Sequence, residues 1–260
     1  MPDFYEEILR VKTEGSRAAI ATIVATKGST PREVGAKMLI HENGKMLGTI
    51  GGGCMEAEVW QEAMKVIKGN KPKTIHFDLT GRAAEESGMI CGGVMDIYIE
   101  PIVPTPKVFI FGGGHVSLFV SKMSHMIGFQ VAVIDDRPHF ANKERFPEAD
   151  EVIAEEFPLA LPKLIVNPSA YLVIVTRGHA YDQEVLEWAL SKEVKYIGMI
   201  GSRKKVQTVY QNLKEKGFTP EQLQRVHAPI GLNIGALTPE EIAVSIVAEM
   251  IQVHRNKTPA

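Results

Sequence analysis

The sequence predicts an α/β protein in which a doubly wound parallel sheet follows a smaller α+β domain. An apolar, β-favouring run at 107–111 leads into three glycines, a helix-length segment, and a second such run at 130–134 that ends in acids. Strand-like and helical segments then alternate, which is typical of a parallel sheet with helices on both faces. Before residue 101 the pattern is instead that of hairpins and single helices.

Residues 1–100 are predicted to form the α+β domain. Asn43-Gly44 lies between two apolar runs and is a strong signal for a β-hairpin. Apolar residues at helical spacing predict a helix after the glycines at 51–53. The predicted helices are 3–14 and 55–68, and the predicted strands are 18–25, 37–42, 45–50, 73–79 and 94–100.

A proline-rich segment separates the two patterns. Pro101, Pro104 and Pro106 fall within six residues, and prolines this close together favour a stiff, extended chain. We therefore expect a linker at 101–106 between the α+β domain and a second domain at 107–260.

The second domain is predicted to contain the parallel sheet. Near its C-terminus, Thr219-Pro220 and Thr238-Pro239 each open a helix with Thr at the N-cap and Pro at the first helical position. The predicted strands are 107–111, 130–135, 150–154, 171–176 and 195–200.

The glycine turn at 112–114 is the first candidate binding site. Gly112 permits a tight turn and Gly114 lets the backbone approach a phosphate, while small Ser117 replaces a third glycine. The following helix start, with Gly113, His115 and Val116, would offer free N–H groups to an anion. This strand, glycine turn and helix resemble a Rossmann-like, dinucleotide-binding unit.

The acids that end the second run complete this pattern. Asp135 or Asp136 could hold a ribose 2′-hydroxyl, and Arg137 could meet a 2′-phosphate. The sequence therefore leaves NAD and NADP both open. A glycine turn that binds nothing is the alternative.

Further polar clusters follow the predicted strands. Gly201-Ser202-Arg203 runs into a basic helix start and suits an anion. The loop at 227–235 is rigid and polar enough to bind a ligand. His115 and His179, with Asp182, are candidates for acid–base catalysis.

Cys54 is the sharpest candidate in the α+β domain. It follows Gly51, Gly52 and Gly53 and is predicted to begin a helix, where backbone N–H groups would stabilise a thiolate. Such a thiol suits a sulfur carrier or a ligand for a soft metal, whereas the alternative is a small buried residue. Cys91, before Gly92, has the same two readings, and spacing does not decide whether Cys54 and Cys91 pair.

Composition excludes several classes. A formal net charge of −2 with dispersed Lys and Arg gives no nucleic-acid footprint. No apolar run is long enough to span a bilayer, and the N-terminus does not read as a signal peptide. Two cysteines without a CxxC pair favour a cytoplasmic protein without a structural zinc site.

Taken together, the motifs resemble the XdhC/CoxI family over nearly the whole chain. Asn233 and Tyr181 depart from an Asp and a His that we expect in some members, so no metal site is expected. The motifs that carry the resemblance are Lys27-Gly28-Ser29-Thr30-Pro31-Arg32, Gly51-Gly52-Gly53-Cys54-Met55-Glu56, Cys91-Gly92-Gly93, Gly112-Gly113-Gly114-His115-Val116, Asp135-Asp136-Arg137-Pro138, Gly201-Ser202-Arg203 and Pro229-Ile230-Gly231-Leu232.

The resemblance implies an accessory factor for xanthine dehydrogenase. Such a protein binds molybdenum cofactor, assists its sulfuration with a cysteine desulfurase, and delivers it to a molybdenum hydroxylase. It implies a cytoplasmic homodimer in which Lys27, Arg32 and Cys54 contact the anionic cofactor. An NAD(P)-dependent oxidoreductase and an NAD-binding redox sensor that uses Cys54 are the alternatives.

Overall fold

The computed structural model describes residues 3–80 and 92–255. The chain divides into two compact units, Met1–Pro104 and Thr105–Ala260. In the described part of the chain, no helix combines the length and the apolar character that crossing a membrane requires.

The first unit is an antiparallel sheet with two helices among its described residues. The strands are β1 (Ala18–Lys27), β2 (Lys37–His41), β3 (Met46–Gly48), β4 (Lys73–Asp78) and β5 (Val94–Ile102), and the helices are α1 (Phe4–Glu14) and α2 (Gly53–Gly69). The described strands lie in the order β3-β2-β1-β5-β4, and each neighbouring pair is antiparallel. The predicted hairpin at Asn43-Gly44 is confirmed, because β2 pairs with β3 across it.

The core of this unit lies between α2 and the sheet. One stripe of the helix, with Met55, Val59, Ala63 and Ile67, is buried against apolar residues of the sheet. These positions recur every four residues, which places them on one helical face. The helix therefore has a fixed orientation against the sheet, which also fixes the position of its N-terminal residues.

One boundary differs from its prediction. Pro101 and Ile102 belong to β5, opposite Ala19 and Ala18 of β1. Proline is tolerated at this point because the pairing of β4 with β5 ends at Ile99, so the proline has a strand neighbour on one side only. The segment predicted as a linker therefore begins as strand.

The second unit contains the parallel sheet. Its strands are β6 (Lys107–Phe111), β7 (Gln130–Asp135), β8 (Glu151–Ala154), β9 (Tyr171–Ile174), β10 (Tyr196–Met199) and β11 (Val226–His227). Its helices are α3 (His115–Met126), α4 (Phe157–Ala160), α5 (His179–Leu190), α6 (Arg203–Glu215), α7 (Pro220–Gln224) and α8 (Pro239–His254). The helix starts predicted at Thr219 and Thr238 are confirmed, and each Thr forms a capping box.

The described strands lie in the order β11-β10-β9-β6-β7-β8, all parallel. Successive residues of β6 face opposite sides: Phe109 and Phe111 pack with the cluster that includes α5 and α6, and Val108 and Ile110 with the cluster that includes α3 and α8. The sheet is therefore covered by helices on both faces, and the predicted doubly wound fold is confirmed. The strand order reverses between β6 and β9, where such folds bind ligands.

Candidate functional site

Two glycine-containing loops of the first unit meet where β1 ends and β5 begins. A Cβ atom on Gly28 would lie 3.2 Å from the Cα atom of Gly93, and one on Gly93 would lie 2.4 Å from the carbonyl oxygen of Ser29. Lys27, the last residue of β1, is opposite Val94, the first of β5. Glycine is therefore required for the two loops to touch.

A third loop joins them through Gly51. A Cβ atom on Gly51 would lie 2.7 Å from Cγ of Pro31, while Gly52 and Gly53 have open space where a Cβ would point. We call the residues of these three loops, 27–32, 51–54 and 92–93, the cysteine site. The cysteine site contains the residues of this unit that were predicted to bind a ligand and that the structure describes: Lys27, Gly28, Ser29, Arg32, Gly51, Gly52, Gly53, Cys54 and Gly92. Cys91 lies outside the described residues.

Cys54 is the second residue of α2, and its thiol is free and exposed. The alternative of a small buried cysteine is therefore wrong. Lys27 and Arg32 are also exposed, and neither forms an ion pair with any described residue. The cysteine site thus contains a soft nucleophile, Cys54, and two available cations. Gly52 and Gly53, which precede Cys54, leave room for a ligand.

Glu56 organises the third loop, a role that its place in the 51–56 motif did not indicate. Its carboxylate accepts hydrogen bonds from the hydroxyl of Thr49 at 2.5 Å, the N–H of Gly52 at 3.0 Å and the N–H of Ile50 at 3.1 Å. Burial raises the pKa of the Glu56 carboxyl, but these bonds outweigh burial and the pKa is lowered. The sequence signal for this role was an acid in the first turn of a helix that follows three glycines, because a carboxylate there can accept hydrogen bonds from free backbone N–H groups.

The glycine turn of the second unit is packed closely against its own chain. Gly112 has a φ of +113°, and a Cβ atom there would lie 2.5 Å from the carbonyl oxygen of Val175. A Cβ on Gly113 would lie 2.5 Å from the carbonyl oxygen of Phe140, whereas one on Gly114 would meet nothing. Gly114 is the N-cap of α3 and, as a glycine, has no side chain with which to cap that helix start. The predicted residues His115 and Val116 form its first turn.

The Asp135 carboxylate was expected to be free to hold a ribose, but it is buried and hydrogen-bonded within the protein. It is 2% exposed and accepts hydrogen bonds from the N–H of Gly113 at 2.7 Å and from Arg137 through its N–H, Nε and Nη2 atoms. Burial raises the pKa of Asp135, but the bonds from Arg137 and Gly113 lower it by more. Asp136 forms an ion pair with Arg177 at 2.6 Å. Both predicted ribose acids therefore have protein partners.

Asp182 is also engaged by the protein. It is fully buried and accepts hydrogen bonds from the hydroxyl of Thr176 at 2.8 Å and from the Lys205 ammonium. Among the described residues, none of its hydrogen bonds comes from a histidine. The structure thus does not join Asp182 to His115 or His179 as an acid–base pair.

His179 and Ser202 line one cavity between α5 and α6, with a volume of about 480 Å³. Lys204, Gln183 and Asn212 also line it. Ser202 caps α6 by accepting a hydrogen bond from the N–H of Lys205. Two candidates that the sequence placed in separate clusters therefore share a site, and the neighbouring candidates Gly201 and Arg203 flank Ser202 in the chain.

The loop at 227–235 is held by Glu249, which was not among the predicted site residues. Its carboxylate accepts hydrogen bonds from the Tyr196 hydroxyl at 2.5 Å and the Gly231 N–H at 2.9 Å, and it lies 3.2 Å from Nδ1 of His227. Burial, followed by the charge of Glu249, raises the pKa of Tyr196 well above its usual value. The sequence signal for a buried, hydrogen-bonded carboxylate was a single acid in the apolar middle of α8.

Within residues 3–80 and 92–255, no three or more His, Cys, Asp or Glu side chains are grouped so that they could hold a metal ion. The absence of a metal site stays a prediction of the sequence.

Fold and sites define a two-domain protein that joins a cysteine-bearing α+β unit to a Rossmann unit. The model of the XdhC Rossmann domain matches residues 108–250, and the model of the XdhC and CoxI family matches residues 11–78. The chain belongs to the XdhC and CoxI family, as the motifs predicted.

Individual relatives cover nearly the whole chain. The uncharacterized protein YqeB of Escherichia coli is 35% identical over 98% of this chain, which spans 47% of YqeB. The molybdenum cofactor insertion chaperone PaoD of Escherichia coli is 24% identical over 97% of this chain and 90% of its own length. A crystal structure of a xanthine dehydrogenase from Bacillus halodurans is 26% identical, with a TM-score of 0.54 over 98% of this chain and 96% of that one.

Proposed function

We propose that this chain binds molybdenum cofactor as its cargo and supports insertion of that cofactor into a molybdenum hydroxylase of the xanthine dehydrogenase type. The observation that carries the proposal is the contact among three glycine-containing loops, the third of which leads directly into the exposed thiol of Cys54. The name of the relative PaoD, a molybdenum cofactor insertion chaperone, supports the same reading.

The residues of the cysteine site fit this cargo. Molybdenum cofactor combines a phosphate, a flat pterin and a dithiolene-bound metal. Lys27 and Arg32 are exposed cations without a described ion pair and suit the phosphate, and the Cys54 thiolate suits a soft metal centre. Gly52 and Gly53 carry no side chain and have open space around them, so a flat ligand can approach the backbone.

We extend the proposal to sulfuration of the cargo. A cysteine desulfurase would supply sulfur as a persulfide, and the Cys54 thiolate would attack its outer sulfur. The S–S bond of the desulfurase persulfide breaks, its cysteine leaves as a thiolate, and Cys54 becomes the persulfide. An exposed thiol at the start of a helix is suited to this exchange.

Two observations weigh against the oxidoreductase alternative. The acid that would hold a ribose, Asp135, is buried and hydrogen-bonded to Gly113 and Arg137. Asp182, the proposed partner of a catalytic histidine, is bound to Thr176 and Lys205 instead. A homodimer and a cytoplasmic location stay predictions of the family resemblance.

Activation of a client enzyme tests the proposal. A cofactor-free molybdenum hydroxylase is incubated with this protein isolated from a host that makes molybdenum cofactor, and the hydroxylase activity is measured. We expect activation by wild type, a loss of about tenfold or more with Cys54→Ser, and no loss with the control Gln61→Ser on the exposed side of α2. Equal activation by wild type and Cys54→Ser would refute the role of the thiol.

A further inference from the structure

Glu56 forms hydrogen bonds with the loop of the cysteine site that leads into Cys54. Its carboxylate accepts a hydrogen bond from Thr49 Oγ1 at 2.5 Å and from the N–H groups of Gly52 at 3.0 Å and Ile50 at 3.1 Å. Hydrogen bonds to an ionised carboxylate are among the strongest in proteins. The three donors lie within four consecutive residues, so one side chain holds the segment that leads directly into Cys54.

The hydrogen bonds also change what the loop can bind. Backbone N–H groups before a helix are the usual donors to a phosphate, but at Ile50 and Gly52 those donors already serve Glu56. A second anion beside the carboxylate would be repelled. The α2 side of the cysteine site is therefore unfavourable for a phosphate.

The cations of the cysteine site lie on another loop. Lys27 and Arg32 flank the segment that touches Gly93 and Gly51 through Ser29 and Pro31. Both side chains are exposed, and neither has an ion-pair partner among the described residues. The cysteine site is therefore polarised. The Glu56 carboxylate at α2 is hydrogen-bonded within the protein, whereas two available cations lie at the end of β1 and on the loop that follows it.

We propose that Glu56 is the positioning residue of the cysteine site. It holds the loop that presents Cys54, and it directs the anionic end of a bound ligand away from α2 and towards Lys27 and Arg32. The sulfur of Cys54 is thereby left to the metal end of the ligand. The identity of this ligand rests on the proposed function, whereas the holding of the loop and the direction of an anion do not.

Amide hydrogen exchange tests the holding of the loop. Glu56→Gln removes the charge and puts an amide among three donors, whereas Glu58→Gln removes the same charge from an exposed position on the same helix. By NMR, we expect the Ile50 and Gly52 amides to exchange about tenfold faster or more in Glu56→Gln, and to exchange at the wild-type rate in Glu58→Gln. Wild-type exchange in Glu56→Gln would overturn the holding role.

Titration with inorganic phosphate tests the direction of the anion without molybdenum cofactor. In wild type we expect amide resonances of the 27–32 loop to shift while those of Ile50 and Gly52 stay in place. Lys27→Ala with Arg32→Ala should abolish these shifts. In Glu56→Gln, shifts at Ile50 and Gly52 should appear. Phosphate shifts at Ile50 and Gly52 in wild type, or none in the 27–32 loop, would overturn the proposed direction.

Retention of cofactor separates a positioning role from a merely structural one. After isolation from a host that makes molybdenum cofactor, we expect Glu56→Gln to carry about fivefold less pterin than wild type, with Glu58→Gln unchanged. Wild-type pterin content in a variant whose loop exchanges faster would overturn positioning. If wild type itself carries no pterin, the proposed function fails, and the exchange and phosphate experiments still decide the role of Glu56.

Discussion

The carboxylate of Asp135 accepts a 2.7 Å hydrogen bond from the backbone N–H of Gly113. This bond ties the end of β7 to the glycine turn that follows its neighbour β6. Asp135 also binds Arg137 through two guanidinium nitrogens, so its charge is compensated inside the protein. The acid is thus part of the structure that shapes the turn.

The first prediction concerns the stability that Asp135 contributes. Asp135→Ala should lower the free energy of unfolding by about 3 kcal/mol, because it leaves the buried N–H of Gly113 and the Arg137 guanidinium without their partner. Its neighbour Asp136 pairs with a partly exposed Arg177, so Asp136→Asn should cost about 1 kcal/mol or less. Urea denaturation measures both values, and equal small effects would show that Asp135 is not a structural anchor.

Asp135 also predicts a direction of pH dependence. Its pKa lies below the ordinary 3.8 in the folded protein, so its contribution to stability is complete above that value. The contribution is lost as the pH falls from about 4 towards the folded pKa. Asp135→Asn should therefore show a shallower loss of unfolding free energy below about pH 4 than wild type, whereas parallel curves would contradict the assignment.

The second prediction separates the glycines of the turn. Gly112→Ala and Gly113→Ala should each destabilise the protein by about 2 kcal/mol or more, because the added Cβ would meet a backbone carbonyl oxygen. Gly114→Ala is the matched control, since its Cβ would point into open space, and should change stability by less than about 1 kcal/mol. Thermal denaturation of the three variants measures the difference, and equal losses at all three positions would contradict this packing.

The third prediction concerns Asp182 and His179. Asp182→Ala should cost about 3 kcal/mol, because it leaves the Lys205 ammonium and Thr176 hydroxyl without their buried acceptor. His179 is exposed, so His179→Ala should cost about 0.5 kcal/mol or less. A fully stable Asp182→Ala protein, measured by chemical denaturation, would reopen a catalytic role for this carboxylate.

The fourth prediction tests the anchor of the 227–235 loop. Glu249→Ala removes the acceptor for Tyr196 and Gly231 and should cost about 2–3 kcal/mol. The amide of Gly231 should also exchange faster with solvent. Glu240→Ala, on the exposed first turn of the same helix, should leave that exchange rate unchanged. A protected Gly231 amide in Glu249→Ala would show that the loop has another anchor.

Most of the fold could be predicted because local patterns and long-range packing agree. Alternating strand and helix segments led to the parallel sheet, and the Asn43-Gly44 turn led to the β2–β3 hairpin. The end of β5 was missed because the strand tolerates Pro101 only where β4 no longer pairs, which is a property of the sheet register.

The sequence predicted which residues belong to the candidate sites, but it did not predict which of these residues contact one another. Glycines at 28, 51 and 93 were visible in the sequence, while their mutual approach depends on how the strands bring distant loops together. The partners of Asp135, Asp182 and Glu56 were also hidden. The sequence identifies each carboxylate, but burial and nearby hydrogen-bond donors in the folded protein decide whether that carboxylate is free to bind a ligand.

The most direct test of the central claim is the pterin content of the protein itself. Wild type, Cys54→Ser and the control Gln61→Ser are purified from a host that makes molybdenum cofactor, and the pterin released on denaturation and oxidation is measured by fluorescence per chain. We predict pterin in wild type and Gln61→Ser, about fivefold less in Cys54→Ser, and equal thermal stability of all three because Cys54 is exposed. A wild-type protein without pterin, or equal pterin in Cys54→Ser, would contradict the account.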